Sequence, residues 1–211
     1  MRKIKLPYLP HLPNPSWSSC RAVLPQLNRS IELQRVRDQQ IVDAILTEVT
    51  EKHLQDTKTI WEPLLLGSRQ EDEYWDWVAK SRRAKLLPGD ELYAVECEGL
   101  TQGLVMLDVL KKRCQIESQL RRRLVYIRAL ATAPWNRPAI TNPPTYKGIG
   151  GTMIDFAIAR SYELGYQGRI GLHALPGALG FYRKLRVGLL NCGPDPEEPD
   201  NLVYFETLRT N

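Results

Sequence analysis

Thr145-Tyr146-Lys147-Gly148-Ile149-Gly150-Gly151-Thr152-Met153-Ile154 is the stretch whose residue types and spacing point most directly to chemistry. Three glycines just ahead of an apolar-periodic run let the backbone approach a ligand closely, because no Cβ stands in the way. The first turn of the helix that follows has N–H groups without intrahelical acceptors, and the positive end of the helix dipole lies at the same corner. Such a corner receives a phosphate or pyrophosphate. Two common phosphate loops do not fit. The dinucleotide fingerprint wants a glycine where this chain has Met153, and the nucleoside-triphosphate loop wants lysine after the glycine, whereas Lys147 precedes Gly148. The alternative is a tight strand-to-helix connection with no ligand.

The elements around this turn are read from periodicity and punctuation. Met153, Ile154, Ala157, Ile158 and Ser161 share one helical stripe, and Gly165 stands where a C-terminal cap belongs. Upstream, Ile31 to Val36 alternates as a short strand. Asp38 is a cap for a helix with the stripe Ile41, Val42, Ile45, Leu46, Val49 and His53. A second helix is expected to open at Ser68, with Glu71 completing a capping box and Tyr74, Trp75, Val78 and Ala79 turned inward. Leu92 to Cys97 and Gln102 to Val109 form a hairpin through Glu98-Gly99, and Leu124 to Ala131 is a further strand ended by Pro134 to Pro138. After the glycine-turn helix come a strand over residues 168–174, a short helix from Pro176, and a final pair at Val187 to Leu190 and Leu202 to Phe205. Residues 1–29 carry five prolines and read as an extended arm ahead of one domain over 30–211.

Composition narrows the function classes. A chain of 211 residues that is 43% hydrophobic supports one well-buried core. Four cysteines without paired spacing suggest neither a zinc site nor a disulfide framework, so no metal is expected and a reducing, cytoplasmic setting fits. No apolar run reaches the length of a membrane span. The net charge of +5 permits a polyanionic partner through Lys111-Lys112-Arg113 and Arg121-Arg122-Arg123, although no aromatic residue interleaves them and a solvated sheet rim accounts for them as well.

This order of elements, with the glycines in that place, resembles the GNAT superfamily of acetyl-CoA-dependent N-acetyltransferases. Leu130-Ala131-Thr132-Ala133-Pro134 resembles the end of the family's fourth strand, Tyr146-Lys147-Gly148-Ile149-Gly150 its pyrophosphate loop, and Ala178 to Leu185 its last helix. The fold implied is α/β (α+β): one domain with a mixed, mostly antiparallel sheet of about seven strands flanked by four helices. Departures are Thr145 in place of Arg or Gln, Leu175 where Asn is common, Arg186 where Gly is usual, and some extra residues over Trp135 to Pro144.

The resemblance implies acetyl transfer from acetyl-CoA to a primary amine by direct attack in a ternary complex. An alkyl amine with a pKa near 10.4 must lose a proton at neutral pH, at a cost on the order of 4 to 5 kcal/mol. Glu96 and His173 are the candidate bases, with Asp108 on the same hairpin as Glu96. Tyr182 matches the family's tyrosine general acid. The amides of Lys147, Gly148, Ile149, Gly150, Gly151 and Thr152 match the diphosphate site, and Leu130, Ala131 and Thr132 the strand edge that receives the thioester arm and its oxyanion. The acceptor is left open between a small amine, a protein and a charged tRNA, and an exposed final strand suggests a homodimer. The rival reading is a catalytically weak module of the same fold that binds protein or RNA through the basic clusters.

Overall fold

The computed structural model describes residues 28–209, so the proline-rich arm lies outside the described residues apart from its last two positions, which open the first strand. Nine segments are extended: β1 (Asn28–Arg35), β2 (Ile41–Glu48), β3 (Asp90–Cys97), β4 (Leu100–Asp108), β5 (Val125–Thr132), β6 (Tyr146–Lys147), β7 (Ile170–Ala174), β8 (Leu189–Pro194) and β9 (Val203–Thr207). They form one sheet in the order β6-β1-β2-β3-β4-β5-β7-β9-β8. Neighbours are antiparallel except β5 and β7, which run parallel because the helix α4 (Ile149–Glu163) carries the chain back across the sheet. The other helices are α1 (Glu51–Asp56), continued through a wide turn at Thr57–Trp61 into α2 (Glu62–Leu65), then α3 (Trp77–Leu86) and α5 (Leu179–Lys184).

Strand alternation sorts side chains onto two cores, one on each face of the sheet. Leu92, Ala94, Leu104 and Met106 point toward α1 to α3, where Leu54, Trp61 and Trp77 meet them. Tyr93, Val95, Val105 and Leu107 point the other way, onto Met153, Ile154 and Ala157 of α4. Gly103 sets how closely α4 approaches, since a Cβ there would lie 2.8 Å from Ile149 Cγ2 and 2.9 Å from Met153 Cε. The head of α4 is thereby seated directly on β4.

Several sequence-based expectations are corrected. Residues Ile41–Glu48 form a strand and not a helix, which is one reason the sheet has nine strands where about seven were expected. The helical stripe is real in spacing, but Ile41, Val42 and Ile45 are β-branched. Pairing with β1, from Gln34 opposite Ile41 to Asn28 opposite Thr47, buries Ala44 and Leu46 at period two. Ile41 and Ile45 stay exposed. The two-residue β6, paired to Gln34 and Arg35, is the other addition.

The helix expected at Ser68 begins instead at Trp77, capped by Asp76, whose carboxylate accepts from the Ala79 N–H at 2.9 Å. Gly67 and Arg69 have φ of 77° and 60°, left-handed values that do not seed a helix, and their N–H groups donate to Glu73 at 2.7 and 2.9 Å. Tyr74, expected inward, is 84% exposed. The final strand also differs from expectation: β9 lies inside the sheet, and β8 is the edge. No helix among the described residues is long and apolar enough to cross a membrane.

His53 has a structural part in α1. Its Nδ1 accepts from the Thr50 N–H at 3.0 Å, and its Nε2 faces Glu96 Oε2 at 3.1 Å. Burial, only partly opposed by Glu96, holds this imidazole below its ordinary value of 6.5. The folded state therefore favours the neutral ring. The stability gained is complete above the unfolded value and is lost as pH falls through the folded one. Melting temperature should accordingly drop between about pH 7 and pH 5, and His53→Gln should flatten that stretch of the profile. An unchanged slope would contradict this account.

Candidate active site

Hydrogen bonding between β5 and β7 covers only Val125 to Ile127 against Ile170 to Leu172, after which the two strands no longer pair. A bulge in β5 contributes to the split. Ile127 opposes Leu107 and Ala129 opposes Met106, so Arg128 is an extra residue that bends the strand. Beyond it, the Ala133 N–H returns to Gln102 O on the β4 side at 2.9 Å. By alternation, the backbone groups of Leu130 and Thr132 face the gap. The Thr132 carbonyl is taken by Arg137, from Nε at 2.8 Å and Nη2 at 2.6 Å.

The gap opens into a cleft of about 800 Å³. One lip is Leu130, Ala131 and Thr132, and the other is Leu175, Gly177 and Ala178. The glycine turn closes one end with Lys147, Gly148, Ile149 and Gly150. Gly148 sits at φ 91°, a value that favours glycine and that turns the chain from β6 into α4. The first helical bond runs from the Thr152 N–H to Gly148 O at 2.9 Å, which leaves the amides of Ile149, Gly150 and Gly151 without an intrahelical acceptor. Thr152 is thus not a free donor. Gly150 has no Cβ to meet Phe181, whose Cζ would lie 2.9 Å from one.

Tyr182 lines the same cleft from α5 and is only 7% exposed. Its ring packs against Phe181 and Phe205, at centroid distances of 5.0 and 5.7 Å. Its hydroxyl makes no hydrogen bond to any described residue. Burial pushes this phenol up to about 12, so it stays protonated throughout the neutral range.

No protein-family profile and no curated protein matches the sequence. Solved structures do resemble its fold. A transcriptional regulator from Bacillus halodurans C-125 superimposes with a TM-score of 0.50 at 18% identity, over 74% of this chain and 98% of its own. PH1933 from Pyrococcus horikoshii OT3 gives 0.50 at 11%, over 80% and 99%. The PaiA N-acetyltransferase from Thermoplasma acidophilum, in complex with coenzyme A, gives 0.49 at 13%, over 78% and 98%. The mixed, mostly antiparallel sheet flanked by helices is the kind that the sequence resemblance implies, with nine strands in place of about seven. The likeness to these structures is one of fold.

Within this fold, the structure brings Leu130, Ala131, Thr132, Lys147, Gly148, Ile149, Gly150 and Tyr182 to one cleft. It does not bring the two candidate bases there. Glu96 lies on the opposite side of β3 from Val95 and pairs with Lys52 at 3.0 Å and with His53, lining a separate, shallower depression. His173 is buried, its Nδ1 2.6 Å from the Tyr126 hydroxyl and its Nε2 2.9 Å from Asp195. Asp108 is sealed against Arg128. Neither Glu96 nor His173 reaches a group bound between β5 and β7.

Residues not singled out from the sequence occupy the cleft's other end. Arg69, Glu71, Asp72 and Trp75 come from the connection between α2 and α3, and Arg137, Pro138 and Ala139 from the extra residues after β5. Asp72 and Arg137 form a bidentate pair at 2.6 and 2.7 Å. The departure over Trp135 to Pro144 therefore does shape the mouth, held there by Trp135 Nε1 and Asn136 Nδ2 donating to Gln102 Oε1 at 2.8 and 2.9 Å. Read from sequence alone, the acidic run Glu71-Asp72-Glu73 complements the dipole of the helix expected at Ser68. Its signal as a site was the Leu66-Gly67-Ser68 break that stops a helix from forming there.

The basic clusters lie elsewhere. They flank the connection from the end of β4 to the start of β5, whereas the cleft opens at the far end of β5. Lys112 pairs with Glu198 at 2.9 Å, Arg113 donates to the Lys112 carbonyl at 2.8 Å, and Arg123 lies over the Tyr166 ring at 5.9 Å.

Proposed function

We propose that this chain is an N-acetyltransferase that moves the acetyl group of acetyl-CoA to a primary amine by direct attack in a ternary complex. The observation that supports this reading is the meeting, in one cleft, of three unmet hydrogen-bonding features. These are the amides at the head of α4, the edge of β5 left unpaired at Leu130 and at the Thr132 N–H, and the Tyr182 hydroxyl, which bonds to no described residue. Each matches a different part of one ligand.

The amides of Ile149, Gly150 and Gly151 suit a diphosphate, with the α4 dipole behind them and Lys147 beside them. The free edge of β5 suits an extended arm carrying amides, which would add to the sheet as a strand does. An N–H on that edge is a donor for the oxygen that gains charge when the thioester carbonyl is attacked, and such a donor is worth about 3 kcal/mol in a water-poor cleft. Tyr182 then acts as the acid at the departing sulfur. The binding-module reading has less support, because the basic clusters open away from the cleft and Lys112 and Arg113 are engaged internally.

Titration calorimetry with coenzyme A and with pantetheine tests the reading. Coenzyme A should bind one to a chain, and pantetheine, which lacks the diphosphate, at least about tenfold more weakly. Absence of coenzyme A binding would remove the acyl-transfer reading, and equal affinities would detach the diphosphate from α4.

A further inference from the structure

The connection between α2 and α3 crosses the split in the sheet. Glu71 accepts from the Gly177 N–H with both oxygens at 3.0 Å, on the β7 lip. The next residue, Asp72, is held by Arg137, which also grips the Thr132 carbonyl on the β5 lip. Two consecutive residues thus tie the segment to both sides of the gap. It comes from the α1 to α3 side of the sheet, opposite α4 and Tyr182.

The two carboxylates lining the cleft are unlike each other. Asp72 is neutralised by Arg137, with both side chains 12% exposed. Glu71 makes no ion pair with any described residue, and its only described partner is the Gly177 N–H. It lies so close to that backbone that a Cβ on Gly177 would be 2.9 Å from its Oε2. A carboxylate fixed at one lip, uncompensated by a cation and open to solvent, presents acceptor lone pairs to whatever enters from this side.

We propose that Arg69–Trp75 is the acceptor gate of the cleft, that it admits small primary amines and not protein or tRNA, and that Glu71 is the carboxylate that receives their ammonium group. This rests on the acyl-transfer reading above and names its acceptor class. The Asp72–Arg137 pair, tied to the Thr132 carbonyl, stands at this end of the cleft, which favours a small amine over a polypeptide chain. Trp75, Pro138 and Ala139 line the same end and would face the apolar body of such an amine.

The protons balance as follows. The bound ammonium gives one proton to Glu71, and the freed lone pair attacks the thioester carbonyl carbon, forming the C–N bond. The oxyanion then re-forms the carbonyl as the C–S bond breaks, and the adduct nitrogen's second proton passes through solvent to Tyr182 as Tyr182 gives its own to the departing sulfur. Coenzyme A leaves as the thiol, the amide is released, and Glu71 returns its proton to solvent, so one proton is released per turnover.

The test measures thiol release from acetyl-CoA with 1,4-diaminobutane, phenethylamine and histamine, and with a lysine-containing decapeptide. Coenzyme A binding is followed in parallel by calorimetry. At least one small amine should exceed the peptide tenfold or more in kcat/KM. Glu71→Gln keeps an oxygen for the Gly177 N–H but cannot take a proton, so it should leave the melting temperature and coenzyme A affinity unchanged while raising the amine KM about tenfold and lowering kcat as well. Preference for the peptide, no small amine active despite coenzyme A binding, or a Glu71→Gln enzyme with wild-type amine KM would each overturn the inference. Failure to bind coenzyme A at all would instead overturn the acyl-transfer reading on which it rests.

Discussion

Tyr182→Phe should lower kcat about a hundredfold while leaving coenzyme A affinity within about threefold. Loss of one positioned donor at a departing thiolate corresponds to about 3 kcal/mol, the size of a hydrogen bond to a charged group. Burial places this phenol at about 12, well above a thiol of roughly 8.5, so ionising it alone to protonate sulfur is uphill. The hydroxyl therefore serves by relaying a proton while remaining protonated itself. Two consequences follow from that value. Activity should show no loss assignable to Tyr182 up to about pH 10. The phenylalanine variant should also keep the parent's stability within about 1 kcal/mol, because the hydroxyl it removes bonds to no described residue. A fall in kcat of less than about fivefold would take Tyr182 out of the chemistry.

Gly103→Val should destabilise the fold by about 3 kcal/mol and lower the melting temperature by roughly 8 °C. The first added carbon alone would stand 2.8 Å from Ile149 Cγ2 and 2.9 Å from Met153 Cε, both fully enclosed side chains at the start of α4. Neither has a free direction in which to move, since Met153 is wholly buried between β4 and the helix. The cheaper relief is to lift the head of α4 from the sheet. That displaces the amides of Ile149 to Gly151, so coenzyme A affinity should fall about tenfold in the same variant. Differential scanning calorimetry and titration calorimetry on one sample separate the two effects. A normal melting temperature would refute the packing argument.

What was legible in the chain followed from local constraints. The glycine turn, the α4 stripe and the Gly165 stop are set by φ and by 3.6-residue spacing, and the structure has α4 over Ile149–Glu163 with Gly165 at φ 76°. The hairpin through Glu98-Gly99 was equally readable, because positive φ at both residues marks the turn. Where local signals were divided, they misled. Ile41 to Leu46 fits a helix and a strand, and its neighbour β1 decided between them. The capping pattern at Ser68 is satisfied in sequence but not in space, since Glu71 bonds across the cleft to Gly177.

The glycine-turn half of the cleft was written in the chain, because a glycine loop entering an amphipathic helix carries its own amides and its own dipole. The opposite half came from folding alone. Glu71, Asp72 and Arg137 are separated by 65 residues between the last two, and nothing in their spacing relates them. They meet because β5 and β7 part beyond Ile127 and a loop from the other face ties the two lips together. The same geometry withdrew Glu96 and His173, whose residue types suit proton transfer but whose partners lie on other elements. A side chain's chemistry can be read from its type, but what it reaches is fixed by which strands stop pairing.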